Sequence, residues 1–304
     1  MTSDASSHDG GPMPAPHLDP LPFRRVDLTG SWMERLESVI ARWSAQYRLG
    51  DRLHAEVIRQ YTRFCAPFEP SMTGIDLAVE YLLWFFTVDD LPDDARRIPM
   101  LNEVRQVLAG ANGESNALLC ATVGLRDRLI DRLAGNDTRR LFQAFDGLLA
   151  SCIWEAERAG QIPSVEQYWR NRAHTIAGYP YLELFRLTEN ARTSPAIEEL
   201  THLCVEVIWV TNDILSVKRD VRKGDHNLVV SLAGEERISY AAACARAVHL
   251  LYESIAAFQV RQDRILADDS LDANTRRHVD FLGTILAGNR MATMSLAERY
   301  LGNG

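Results

Sequence analysis

The stretch Val210-Thr211-Asn212-Asp213-Ile214-Leu215-Ser216-Val217-Lys218-Arg219-Asp220 decides how the chain reads. Asn212, Ser216 and Asp220 stand four residues apart, so on an α-helix they project from one face. An amide oxygen, a hydroxyl and a carboxylate are hard oxygen donors, the set a Mg²⁺ ion accepts. Around them Val205, Val207, Ile208, Trp209, Val210, Ile214 and Leu215 are apolar. A helix with so wide an apolar surface belongs in a core. Its polar stripe then points either at a wet cavity or at bulk water.

The rest of the 304-residue chain agrees with a helical protein. It is 46% apolar and 24% charged, enough to bury one large core or two modest ones. A net charge of −8 argues against a general nucleic-acid or anionic-membrane binder. An anionic substrate entering so acidic a protein needs the help of cations, which suggests metal ions. Cys65, Cys120, Cys152, Cys204 and Cys244 are scattered among apolar residues without a CxxC pair. They read as reduced core thiols of a cytoplasmic protein. There is no run of 18 apolar residues to span a membrane and no basic-then-apolar start.

Residues 1–22 carry Gly, Pro, Ser, Asp and His with few large apolar side chains, and a disordered tail is expected there. From residue 23 to 304 one domain is expected, helix after helix. Ser31 caps a helix running to Gly50, and Asp51 starts another ending before Pro67. Residues 71–91 form a third. Pro99 opens a short helix ending near Gly110, Ser115 begins one to Gly135, and Asn136 or Asp137 begins one to Gly160. Ser164 with Gln167 resembles a capping box. Pro195 suits the first turn of a long helix stopped by Gly224, and long stretches follow over about 236–267 and 271–302. No segment alternates with period two, so the expected fold class is all-α.

The third helix closes on Trp84-Phe85-Phe86-Thr87-Val88-Asp89-Asp90-Leu91-Pro92-Asp93-Asp94. On a continuing helix Asp89 would share a face with Asp93, and Asp90 with Asp94. Like charges at that spacing repel, and the helix dipole disfavours anions at a C-terminus. A divalent cation removes both costs; a solvated acidic turn is the plain alternative. Pro92 sits inside the box and disfavours helix at Leu91, which makes Asp89 the securest ligand and Asp93 the least secure. Between the two polar clusters, Arg172-Ala173-His174-Thr175-Ile176-Ala177-Gly178-Tyr179-Pro180 places small residues and a proline in mid-pattern, which implies a bent or broken helix. Arg299-Tyr300 stands near the end, 87 residues past Asn212.

Together these residues resemble the bacterial-type class I terpene synthases. Asp89, Asp90 and Asp93 are similar to that family's D-D-x-x-D box, and Asn212, Ser216 and Asp220 to its N-D-x-x-S-x-x-x-(E/D) box. His226-Asn227-Leu228-Val229 also resembles the family. The resemblance covers roughly residues 80–300. It implies a helical bundle around a central active-site cavity, with both boxes at its mouth. It implies three Mg²⁺ ions, with Mn²⁺ an alternative, and an allylic prenyl diphosphate substrate. By motif Arg172 corresponds to the diphosphate sensor, Thr175 to the linker and Ile176 to the effector, with Arg170 as the fallback for the sensor. Arg299 and Tyr300 would bind diphosphate oxygens, and a homodimer is implied by resemblance alone.

Two departures stand out. The family's glycine after the threonine is displaced, and Met291-Ala292-Thr293-Met294 lacks the tryptophan often found before the Arg-Tyr pair. The second departure would widen the cavity, keeping geranylgeranyl diphosphate close behind farnesyl diphosphate as substrate. Aromatic faces stabilise a carbocation without acting as bases. Phe85, Phe86, Trp209 and Tyr179 are therefore candidate cavity residues, with Lys218 a further substrate-binding candidate; plain core packing is the alternative for each aromatic. A chain-elongating prenyltransferase is the competing enzyme, though it would carry a second Asp-rich box. A non-catalytic helical binding protein would leave the Asp89–Asp94 cluster without a purpose.

Overall fold

In the computed structural model, residues 18–50, 52–113 and 115–296 are described. Among them lie twelve helices and no strand: α1 (Ser31–Tyr47), α2 (Arg52–Cys65), α3 (Met72–Asp89), α4 (Arg97–Leu108), α5 (Ala117–Arg132), α6 (Arg139–Glu157), α7 (Val165–Thr175), α8 (Gly178–Thr188), α9 (Pro195–Lys223), α10 (Leu228–Glu236), α11 (Tyr240–Leu266) and α12 (Ala273–Ser295). The all-α expectation holds. Local chemistry explains most boundaries. Ser71, Asn116, Ser164, Ser194, Asn227, Ser239 and Asp272 each accept a hydrogen bond from a backbone N–H of the first turn. Each such cap stabilises its helix by about 1 kcal/mol. Gly224 ends α9 in the left-handed conformation at φ 75°, which a side chain would strain.

Several expected boundaries move. Gly30, not Ser31, precedes α1; Asn116 rather than Ser115 caps α5; α6 starts after Thr138. The expected start at Asp51 lies outside the described residues. The segment after Gly224 holds a short helix the sequence reading missed, α10, before α11 begins at Tyr240. Residues 18–22 depart from the expected tail. Leu18 and Leu21 are buried, and Arg290 of α12 donates to the Leu18 carbonyl.

α9 packs against α7, α8, α10, α11 and α12, while α3 packs against α1, α2, α5 and α8. By length and composition α9 is apolar enough to cross a membrane, yet 67% of its most apolar stretch is buried inside the bundle. α12 lies so close on α2 that a Cβ at Gly288 would stand 1.9 Å from the Phe64 carbonyl oxygen. All five cysteines are free, four of them buried and Cys120 half-buried.

Candidate active site

The carboxyl ends of α3 and α9 lie within electrostatic reach of each other. Asp89, the last residue of α3, lies in the fields of Arg172 from α7 and Arg219 from α9. Asp93 likewise reaches the field of Asp225, just past α9. Asp89 is exposed, and its pKa is raised by desolvation among the protein atoms around it and by neighbouring Asp90. Glu155 of α6 and Arg172 are partly exposed. The two boxes, far apart in sequence, are thus brought within electrostatic reach of each other.

The acidic box does not continue the helix. α3 stops at Asp89, with the Asp90 N–H still bonded to the Phe86 carbonyl. Asp93 and Asp94 fall in the following loop, so neither shares a helical face with Asp89 or Asp90. Asp93 pairs with Arg97 at 3.1 Å and Asp94 with Arg96 at 2.6 Å. Arg97 also donates to the Leu91 and Asp89 carbonyls, covering acceptors that the end of a helix leaves open. Asp90 meets the imidazole of His54 from α2, Nε2 to Oδ2 at 2.5 Å. The carboxylate least committed to a neighbouring cation within hydrogen-bond reach is Asp89.

The second box is assembled as its spacing predicts. Ser216 Oγ donates to Asp220 Oδ2 at 2.5 Å, and Arg219 Nε to Asp220 Oδ1 at 2.8 Å. Asn227, fully buried, divides its amide hydrogens between Asp220 Oδ2 and the Asp213 carbonyl, both at 2.9 Å. Its Oδ1 accepts from the Val229 N–H at 2.9 Å, so the side chain is satisfied and fixed. Asn227 is thus both the cap of α10 and a strut for a candidate metal ligand.

Arg172 lies at the centre. Its Nε donates to Asp213 Oδ1 at 2.9 Å, Nη2 to Asn212 Oδ1 at 3.0 Å, and Nη1 to Thr175 Oγ1 at 3.3 Å. Asp213 is buried and also accepts from Tyr168 Oη at 2.5 Å and the Leu228 N–H at 2.9 Å. Burial pushes the Asp213 carboxyl up, while the guanidinium and the other two donors pull it back. Arg172 stays charged, its pKa held well above the ordinary value by the carboxylates around it.

The helix break expected here is present. α7 ends at Thr175, Ile176 follows as its cap, and Ala177 adopts φ 62° before α8 begins at Gly178. The Ala177 carbonyl freed by the break is taken by Tyr81 Oη of α3 at 2.7 Å.

The aromatic candidates divide. Phe85 and Phe86 form a cluster with Tyr81, Tyr61 and His54 directly behind Asp89 and Asp90. Trp209 shares the Asn212 side of α9 but is wholly enclosed, edge-on to Trp169 at 4.7 Å, so it does not wall the cavity. Tyr179 bonds to His202 of α9 at 2.9 Å and stands apart from the Asp213 cluster. Lys218, two residues past Ser216, is turned about 200° from it around α9 and leaves the triad's face. Arg170, the fallback sensor, pairs with Glu166 on the exposed side of α7. Arg299 and Tyr300 lie outside the described residues.

Oxygen donors alone make up the candidate metal set: Asp89, Asp90, Asn212, Ser216 and Asp220. Arg172, Arg219 and His54 hold several of these oxygens, and Asp89 keeps a raised pKa in the field of Asp90. Hard oxygens in mutual repulsion suit a divalent cation. Among the described residues no three His, Cys, Asp or Glu side chains converge on one point. An amide and a hydroxyl in the α9 box account for that.

An all-α bundle with an acidic helix end facing an Asn/Ser/Asp helix across an arginine is the arrangement of a class I terpenoid synthase. The sequence profile described as "Terpene synthase family 2, C-terminal metal binding" matches residues 80–257, and the chain belongs to this family. It is 27% identical over 245 residues to a (+)-T-muurolol synthase of Roseiflexus castenholzii, covering 74% of this chain and 75% of that protein. It is 24% identical to a germacrene A synthase of Nostoc punctiforme over 86% of this chain and 88% of the relative. Its fold matches 2-methylisoborneol synthase of Streptomyces coelicolor A3(2), solved with Mg²⁺ and geranyl-S-thiolodiphosphate. The TM-score is 0.78 and the identity 17%, over 90% of this chain and 94% of that one. The protein is a bacterial-type class I terpene synthase, a lyase that converts a prenyl diphosphate to a terpene and uses a divalent metal.

Proposed function

We propose that the enzyme uses Mg²⁺ to ionise linear farnesyl diphosphate and closes the carbocation into a cyclic terpene hydrocarbon or alcohol. The observation that carries the reading is Arg172, which reaches Asn212 of the second metal box and Thr175 at the helix break while lying in the field that also reaches Asp89. Asp89, Asp90, Asn212, Ser216 and Asp220 would hold the metal, Asp93 only after leaving Arg97. Bound Mg²⁺ would supply positive charge to the leaving diphosphate. Arg172 would add charge-assisted hydrogen bonds that strengthen as the C–O bond breaks. Behind Asp89, Phe85 and Phe86 would offer ring faces to the cation and no base to quench it.

Farnesyl diphosphate is favoured because the Roseiflexus relative is named for cyclising it. The stretch 291–294, with small, buried Ala292 and Thr293, lacks the tryptophan that the family resemblance leads one to expect before the Arg-Tyr pair, which keeps geranylgeranyl diphosphate second. The test is to incubate the enzyme with Mg²⁺ and geranyl, farnesyl or geranylgeranyl diphosphate. Diphosphate release and extractable products are measured, with Asn212→Ala and Asp89→Ala as controls. One cyclic product from farnesyl diphosphate, lost in both controls, is expected. Product from geranylgeranyl diphosphate alone would move the substrate, and longer linear diphosphates formed with added isopentenyl diphosphate would point to a prenyltransferase.

A further inference from the structure

One acidic residue close to Arg172 belongs to neither metal box. Glu155 stands in the last turn of α6 and is partly exposed. Its Oε1 accepts from Thr175 Oγ1 at 3.0 Å. The same hydroxyl accepts from Arg172 Nη1 at 3.3 Å. A threonine hydroxyl has one proton to give, so the chain has a direction: guanidinium to hydroxyl, hydroxyl to carboxylate. Each link polarises the next.

The acceptors around Arg172 are unequal. Its Nε rests on Asp213, a buried carboxylate with two other donors. Its two Nη atoms rest on neutral acceptors, Asn212 Oδ1 and Thr175 Oγ1. All three bonds have a charged donor, and the one to Asp213, between two ions, is the strongest. Each Nη carries two hydrogens, so an arriving diphosphate takes the free hydrogen of Nη1 while Nε stays on Asp213 and Nη1 keeps Thr175. Glu155 strengthens that hold by polarising the Thr175 hydroxyl, making it a better acceptor for Nη1. Thr175 is also the last residue of α7, so the carboxylate ties α6 to the helix break.

The geometry points to Glu155 as a positioning residue for diphosphate ionisation, holding Thr175 and through it the angle at which Arg172 presents Nη1 to the leaving group. This rests on the function proposed above. Glu155 touches no reacting atom in this assignment; its effect passes through Thr175. Gln at 155 keeps an acceptor oxygen, Leu removes it, and Val at 175 removes the hydroxyl.

The test is a double-mutant cycle over Glu155→Leu and Thr175→Val, with Glu155→Gln alongside. Steady-state diphosphate release and product profile are read first. Calorimetric binding of inorganic pyrophosphate with Mg²⁺ gives a second readout that needs no turnover. Each single variant is expected to lose about tenfold in kcat with a smaller change in KM, and to bind pyrophosphate more weakly. The double variant should be no worse than either single, the non-additivity of partners in one chain. Glu155→Gln should retain more activity than Glu155→Leu. Multiplying losses in the double variant, or a Glu155→Leu enzyme with wild-type kcat and pyrophosphate affinity, would overturn the assignment. If the wild type releases no diphosphate from any prenyl substrate, the proposed function fails, and the calorimetric cycle still decides whether Glu155 acts through Thr175.

Discussion

Asp213→Asn asks how much the site depends on one buried carboxylate. Asp213 is fully buried, and three donors converge on it: Arg172 Nε, Tyr168 Oη and the Leu228 N–H. An amide in its place keeps one oxygen and turns an N–H₂ group toward donors. At least one of the three loses its acceptor, at about 1–3 kcal/mol for a buried group. The guanidinium also loses its ionic partner. Breaking a buried pair from one side costs about 3–5 kcal/mol. Arg172 retains Asn212 and Thr175 and a little contact with water, so the lower end applies, about 3 kcal/mol in all. For a chain of this length that is a fall in Tm of roughly 6–12 °C. Diphosphate release should fall more steeply than stability, because the guanidinium loses the bond that fixes its orientation. Urea unfolding and calorimetry read the first quantity, and a coupled pyrophosphate assay below the new Tm reads the second. A variant within 1 kcal/mol of wild type and with unchanged kcat would refute the view that Asp213 anchors Arg172.

Three other perturbations separate packing from protonation. Gly288→Ala places a methyl 1.9 Å from the Phe64 carbonyl oxygen, where only backbone could yield. A loss of about 3 kcal/mol or more is expected by thermal unfolding, and α2 should part from α12. Burial lifts the Glu155 carboxyl from 4.5 to about 7 against the pull of Arg172 and Thr175, with Asp89 and Asp213 pushing the same way. The folded state therefore holds this proton longer than the unfolded chain, and with metal chelated stability declines as pH rises from about 4.5 to about 7, by up to ~3 kcal/mol. Glu155→Gln should flatten that part of the wild-type profile; parallel profiles would show that Glu155 stays ionised. His278 is buried, its Nδ1 has no hydrogen-bond partner among the described residues, and burial with Arg186 nearby lowers its pKa from 6.5 to about 3. Its share of stability is present above 6.5 and lost as pH falls toward 3, so His278→Leu should unfold at lower pH than wild type in acid titration.

What was legible in the sequence is what short-range chemistry writes. Ser71, Ser164 and Ser194 cap their helices, Gly224 stops α9, and the fourfold spacing of Asn212, Ser216 and Asp220 survives into three side chains on one face. The helix break after Arg172 was legible too, because small residues and a proline interrupt an apolar pattern. Period alone misled at Trp209, since a residue three positions from Asn212 shares its side of α9 whether a cavity or another helix lies beyond. Tyr168 and Trp169 of α7 lie beyond it, and nothing in the α9 sequence could say so. Asp93 and Asp94 would share a face with Asp89 and Asp90 only on a continuing helix, which Pro92 already disfavours. The chain leaves the helix at Asp89, and Arg97 and Arg96 claim both side chains within a few residues.

The roles of the residues that organise the site were not legible, and these residues share one property. Asp213, Asn227, Tyr168, Glu155 and His54 act on partners reached through tertiary packing, with 20 to 45 residues between them in several cases. Asn227 did carry a local sign, an N-cap ahead of Leu228-Val229-Val230, but α10 is too short to show a helical period. A ligand must present its own chemistry, so its type and spacing are written along one helix. A strut need only offer one acceptor or donor at the right place, and any packed element can supply it. The metal-ligand candidates thus emerge from sequence, whereas the groups that orient Arg172 emerge only once α6, α7 and α9 are brought together. A substitution at Glu155 should accordingly alter catalysis as strongly as some at the boxes, while leaving every recognisable motif intact.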